Sequence, residues 1–121
     1  YMIDPGTSNY AVGHRRWILY SRAKEFGMGS TSRAHSLYVV NNKIPAPENH
    51  EYTAYPSQGF FPAPLVPDRW SLSIPGADFQ EVKITMQNQE GESIPVAIQE
   101  VKNGFGDNTI VWEPESDMIE K

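Results

Sequence analysis

Apolar and polar residues alternate along three stretches of the second half of the chain, Trp70-Ser-Leu-Ser-Ile74, Val82-Lys-Ile-Thr-Met86 and Ile94 to Val101, and Thr109-Ile-Val-Trp112 closes the series. Strict alternation is the mark of a half-buried strand, because successive side chains leave a strand on opposite faces. Pro75-Gly76, Glu90-Gly91 and the run Asn103 to Asn108 separate them with turn-forming residues. Four short strands with turns about every ten residues predict an antiparallel β unit.

The first third reads differently. Residues 1–12 hold Asp4-Pro5-Gly6 and Thr7-Ser8-Asn9, which predict a loop with at most a short helical turn. From Ala11 to Tyr20 the apolar positions are Val12, Trp17, Ile18 and Leu19. That run is too short for its period to separate a strand from a helical turn, and its β-branched and aromatic content favours a strand. Phe26 to Gly29 and Ser36 to Asn41 read as two more strands, joined by the polar loop Ser30 to His35. Gly27 and Gly29 then share a face on which another element can approach closely. Residues 44–67 carry six prolines and no sustained period, but Tyr52, Tyr55, Phe60 and Phe61 point to an ordered arm rather than a solvated linker.

Length and charge narrow the function classes. With 121 residues, 39% hydrophobic and 21% charged, the chain has the composition of one folded domain. The net charge of -5 disfavours nucleic acid, and no apolar run is long enough to cross a membrane. The charge is unevenly placed: six Lys or Arg against two acids in 1–43, four against thirteen in 44–121. Oppositely charged faces of this kind help the two parts dock. Absence of cysteine removes disulfides, thiol catalysis and Cys-based metal sites. The opening YMIDPG has no basic segment before an apolar core and does not read as a signal peptide, so the chain reads as beginning inside a larger gene product.

Candidate chemistry concentrates at Gly13 to Gly29, GHRRWILYSRAKEFGMG. His14 offers an imidazole for proton exchange or for a divalent metal such as zinc, beside the competing reading of a packed structural histidine. On a strand, Arg15 and Arg16 would alternate, one toward a cleft to bind an anion and one toward solvent, with solvation of both the ordinary expectation. Trp17, Ile18 and Leu19 read as core. Asp4 is the acid that precedes His14, and an Asp before Pro-Gly is usually a turn residue, with a ligand or acid role as the competing reading. Glu48, His50 and Glu51 have metal-ligating side chains but no recognised spacing, and Asp78, Asp107 and Asn108 lack the pattern of a calcium loop, so turns are the better reading. Phosphate-binding, dinucleotide, zinc-protease and nucleophile-elbow motifs are absent.

Gly13-His14, the apolar run that follows, and a Gly-x-Gly whose first glycine lies thirteen residues after the histidine resemble the signature of the CAP superfamily. These are the cysteine-rich secretory, antigen 5 and pathogenesis-related 1 proteins, or SCP-like extracellular domains. GHRRWIL is most similar to the bacterial branch, with its Gly-His-Arg and following Ile-Leu pair, and RWSLSIPGADF at 69–79 resembles a stretch that bacterial CAP-like proteins carry after the core. The similarity covers residues 1 to about 42.

The resemblance implies an α-β-α sandwich in which His14 lines a central cleft with a second histidine and two acids, in some members around a divalent metal. Asp4 is placed at one acidic position, and the remaining members come from segments upstream of Gly13. The expected fold class is α+β: the β-rich C-terminal part of a CAP core in 1–43, a proline- and aromatic-rich arm in 44–68, and an antiparallel β extension in 69–121. The expected function is an exported, extracellular or cell-surface binding module. Its cleft residues would be His14, Arg15 and Asp4, its ligand a small molecule or zinc at His14, and its acidic extension a contact to a surface or protein partner. The alternatives are a metal-assisted hydrolase using His14 with upstream residues, and a purely structural adhesion module. No complete catalytic constellation is present, so no residue is assigned a catalytic role.

Overall fold

The structure, a computed structural model, describes residues 1–38, 45, 47, 48 and 50–119. Within them are one short α-helix and antiparallel sheets, an α+β composition. The helix, α1, is Gly13–Ile18. Eight strands follow: β1 Gly27–Ser30, β2 His35–Tyr38, β3 Thr53–Tyr55, β4 Trp70–Ser73, β5 Met86–Gln87, β6 Ser93–Ile94, β7 Val96–Ile98 and β8 Thr109–Pro114. A 3-10 turn at Thr7–Asn9 is the short helical turn expected in the opening loop.

The helix corrects the strand expected between Ala11 and Tyr20. Ala11, Val12, Arg15 and Arg16 are buried while His14 is exposed and Trp17 and Ile18 are half-buried. Val12, Arg15, Arg16 and Leu19 follow the 3–4 spacing of a helix face. Two of those four are arginines, so a count of apolar residues sees the wrong period. The expectation that both arginines are solvated falls with it, since Arg15 is 0% and Arg16 3% exposed.

The main sheet has the order β3-β4-β8-β7, antiparallel throughout. Trp70 pairs with Trp112 and Ser73 with Thr109, so Ser71 and Ser73 share one face while Trp70 and Leu72 share the other. The first face receives α1, through a hydrogen bond from Arg15 Nη1 to Ser71 Oγ. The second receives the β5–β6 hairpin, where Trp112 Nε1 meets Met86 Sδ.

Two expectations for this half are refined. The alternating stretch Val82 to Met86 enters a strand only at Met86 and joins a separate hairpin rather than the main sheet. Ile94 to Val101 is split between β6 and β7 at Pro95, whose missing N–H breaks the ladder. The arm is ordered where described: it supplies β3 and a 3-10 turn at Ala63–Leu65, and Tyr55 packs edge-on against Phe61.

β1 and β2 form an isolated hairpin, with Gly27 opposite Tyr38 and Gly29 opposite Ser36. The approach that Gly27 permits is that of its own hairpin partner, for a Cβ there would lie 3.3 Å from Tyr38 Cβ. The Val39 to Asn41 end of the expected second strand lies outside the described residues.

The loop before β8 locks the two halves together. Arg16 donates to the carbonyls of Lys102 at 2.6 Å and Asp107 at 3.3 Å, and Asp107 accepts from the backbone N–H and the hydroxyl of Ser21. These bonds account for Asp107 as a structural carboxylate rather than a calcium ligand. Gly106 sits under this lock, with φ +67° and space for a Cβ only 2.9 Å from the Arg16 carbonyl oxygen. Gly106→Ala is therefore expected to destabilise the chain by roughly 2–4 kcal/mol, combining a disfavoured backbone with a main-chain clash. A urea midpoint unchanged from wild type would refute this packing.

Candidate functional site

Asp4, in the opening loop nine residues before α1, folds back to cap it. Arg15 holds the third helical position, whose N–H has no partner within the helix, and that N–H donates to Asp4 Oδ2 at 3.1 Å. The helix has no cap from its own Val12. The second carboxylate oxygen, Oδ1, lies 2.6 Å from His14 Nδ1. Asp4 is 2% exposed, whereas the His14 side chain is 58% exposed. A buried carboxylate thus holds one nitrogen of a solvent-facing imidazole.

That geometry fixes the chemistry of the ring. A carboxylate accepts, so Nδ1 carries the hydrogen and the neutral ring presents its lone pair at Nε2. The arrangement is that of a metal-ligating histidine backed by a carboxylate, and also that of a general base held by its orienting acid.

Both ends of the site are held in uncommon backbone. Asp4 has φ +48° and Val12 φ +46°. Left-handed geometry costs a non-glycine residue on the order of 1–3 kcal/mol, most for a β-branched one, and persists where surrounding contacts over-determine it. Val12 is wholly buried and Asp4 makes both carboxylate bonds, which supplies those contacts.

Two open cavities flank His14. One, of about 260 Å³, runs past Ser8, Tyr10, Trp17, Lys102 and Phe105. The other, of about 250 Å³, is bounded by Tyr1, Trp17, Ile18 and Leu37. Trp17 lines both, so this residue, expected in the core, is a cavity wall. Tyr1 stands between the two histidines of the region, its ring centroid 5.4 Å from that of His14 and 5.8 Å from that of His35.

Gly13 has a packing reason as well. A Cβ there would lie 2.9 Å from Phe105 Cδ1, so the glycine lets the 102–106 loop close over the helix start and wall the first cavity. Sequence reasoning missed Lys102 and Phe105. Their only signal was the glycine-rich run around Phe105, which was read as a turn.

No family model, curated protein or solved structure matches the chain. The chemistry of the site therefore rests on its own geometry.

The residues expected in the cleft separate into two roles. Asp4 and His14 meet directly. Arg15 turns inward: its Nε donates to the Met2 carbonyl at 2.7 Å, and its Nη1 to the Arg69 carbonyl at 2.8 Å and Ser71 Oγ at 3.0 Å. The guanidinium also lies 4.8 Å from the centroid of Tyr55. Burial lowers the Arg15 pKa to about 10, opposed by Tyr55 and Asp4 and aided by Arg69. Burial likewise lowers Arg16 to about 10, opposed by Asp107. Both stay charged at neutral pH, and their carbonyl partners offset part of the cost of desolvating them.

Among the described residues, no three His, Cys, Asp or Glu side chains are grouped to hold a metal ion. His50 is taken up by Thr53, with Nε2 2.9 Å from Oγ1, and Glu48 and Glu51 are exposed. A zinc at His14 Nε2 would have one protein ligand from this set, fewer than the three or four of a protein-held site. None of the described helices is long and apolar enough to cross a membrane.

Proposed function

We propose that the chain is part of an exported, CAP-like binding module whose site is His14 Nε2 between its two cavities. The observation that carries this reading is the Asp4–His14 pair. The carboxylate that caps α1 also holds His14 Nδ1, which leaves Nε2 to meet a ligand on a side chain that is 58% exposed. The ligand is a small molecule that meets Nε2 with a hydrogen-bond donor, or that brings a divalent cation along with the remaining coordination. The aromatic walls Trp17, Tyr1 and Phe105 favour a ligand with an apolar portion. The CAP sandwich, the extracellular setting and a surface or protein partner for the acidic extension belong to the same reading, supported by the Gly-His and Gly-x-Gly spacing.

The same pair favours a second reading, hydrolysis with His14 as general base. Ser8 lines the same cavity, but no described hydroxyl is hydrogen-bonded to Nε2, so water is the nucleophile that reading needs.

Titration of the chain with a zinc chelate that leaves coordination positions open, zinc nitrilotriacetate, followed calorimetrically and through the His14 ring resonances, tests the proposal. Saturable binding that shifts Nε2 and disappears in His14→Ala is expected. Binding with the same affinity in His14→Ala removes the metal form of the reading. Turnover of ester or peptide substrates that depends on His14 would move the conclusion to the hydrolase.

A further inference from the structure

A second groove lies on the face of the main sheet turned away from α1. Two open hollows of about 280 and 520 Å³ share Trp70 and Ile119 as walls. The larger falls within the roughly 300–1,000 Å³ of small-molecule sites. Its position is set by the sheet: the pleat that sends Ser71 toward Arg15 sends Trp70 the other way, against the β5–β6 hairpin.

The lining narrows the ligand class in steps. Apolar walls come from Trp70, Met86, Ile94 and Ile119, and polar edges from Gln87, Gln89 and Glu90 in one lobe and Ser116 and Glu113 in the other. Among the described residues no Lys, Arg or His lines either lobe, and the 44–121 half carries thirteen acids against four bases, so an anionic ligand is repelled. A cation is served poorly too. Glu113 already bonds to Arg69 Nε at 3.0 Å, Asp68, which also lines the smaller lobe, has a partner of its own, and Glu90 is drawn into the Asn88 turn.

The exposed amides of Gln87 and Gln89 each both donate and accept, and Ser116 does the same. Trp70 Nε1 is itself buried, so the indole meets the groove with its apolar C–H surface rather than with its donor. A flat apolar indole edged by groups that both donate and accept complements a ring with an apolar C–H face and a rim of hydroxyls.

We propose that this groove binds a short neutral oligosaccharide, laid against Trp70 and held by the Gln87, Gln89 and Ser116 side chains. The site is separate from His14 and does not depend on the reading of that residue.

Titration of the whole chain with cellotetraose, chitotetraose and mannotetraose, followed by amide shift perturbation, tests the proposal. At least one sugar is expected to perturb the residues around Trp70, 86–90 and 116–119, with an affinity insensitive to salt. Trp70→Phe, which keeps an apolar ring, should weaken binding about tenfold, and Gln89→Ala, an exposed change that leaves the fold intact, about threefold or more. His14→Ala should leave it unaltered. Three outcomes would overturn the assignment: no perturbation by any of the sugars at about 10 mM, shifts centred on His14, or binding there of an oligolysine peptide that salt abolishes.

Discussion

Arg15→Ala is expected to lower the stability of the chain by about 3–5 kcal/mol, a large share of the roughly 5–15 kcal/mol that holds a small domain folded. The side chain is wholly buried and bridges three segments: the opening loop at Met2, the start of β4 at Arg69, and the sheet face at Ser71. Truncation leaves the buried Ser71 hydroxyl and two part-buried carbonyls without their donor and a void beneath Tyr55. Arg15→Lys should be intermediate, because an ammonium on a flexible stem cannot reproduce the fork that reaches Met2 and Arg69 together. Urea denaturation by circular dichroism measures both. A midpoint for Arg15→Ala equal to that of wild type would show that these bonds do not hold the fold.

The second large effect is at Asp4, and it separates stability from chemistry. Asp4→Ala removes the acceptor of the Arg15 N–H and the partner of His14 together. It should cost about 2 kcal/mol or more, from the lost helix cap and an unbalanced Arg15, and weaken binding at His14 by about 10–100-fold. Asp4→Asn is the sharper test. If its amide oxygen keeps the bond to Arg15, its NH2 faces His14, and a donor there requires Nδ1 to accept. The imidazole must then move its hydrogen to Nε2. Ring nitrogen shifts should report an Nδ1–H tautomer in the wild type and an Nε2–H tautomer in Asp4→Asn, with stability changed by less than in Asp4→Ala. Identical tautomers in the two proteins would mean that Asp4 does not orient the ring.

The parts legible in the sequence are those written in local patterns. Trp70 to Ile74 alternates cleanly and forms β4 at Trp70–Ser73; Thr109 to Trp112 seeds β8, and the turns at Gly76, Gly91 and Gly104 all have positive φ. His14 and Asp4 were singled out from residue type, and they meet. Arg15 was misread because burial of a charged side chain is invisible to a hydrophobic count. Its burial depends on carbonyls at Met2 and Arg69, which nothing near position 15 announces. The walls at Lys102 and Phe105 were missed for the same reason: they reach α1 from a loop more than eighty residues away.

By itself the sequence determined that the second half is built of short antiparallel strands, because alternation and turn chemistry act over a few residues and need no distant partner. It also determined that His14 stands beside an apolar run, while Asp4 reads first as a turn residue and its meeting with His14 comes from the structure. The tertiary structure decided everything that depends on where carbonyls and loops end up. It made Gly13–Ile18 a helix, since the long-range bonds that bury Arg15 and Arg16 outweigh the β propensity of the run. It turned Arg15 into a brace rather than a ligand contact, and it gave His14 a fixed nitrogen and an open one. The first two outcomes rest on pairing a donor with acceptors far away in the chain, and such pairs form only once the sheet has brought the segments together, whereas the Asp4–His14 pair spans ten residues and depends on how the opening loop folds back on α1.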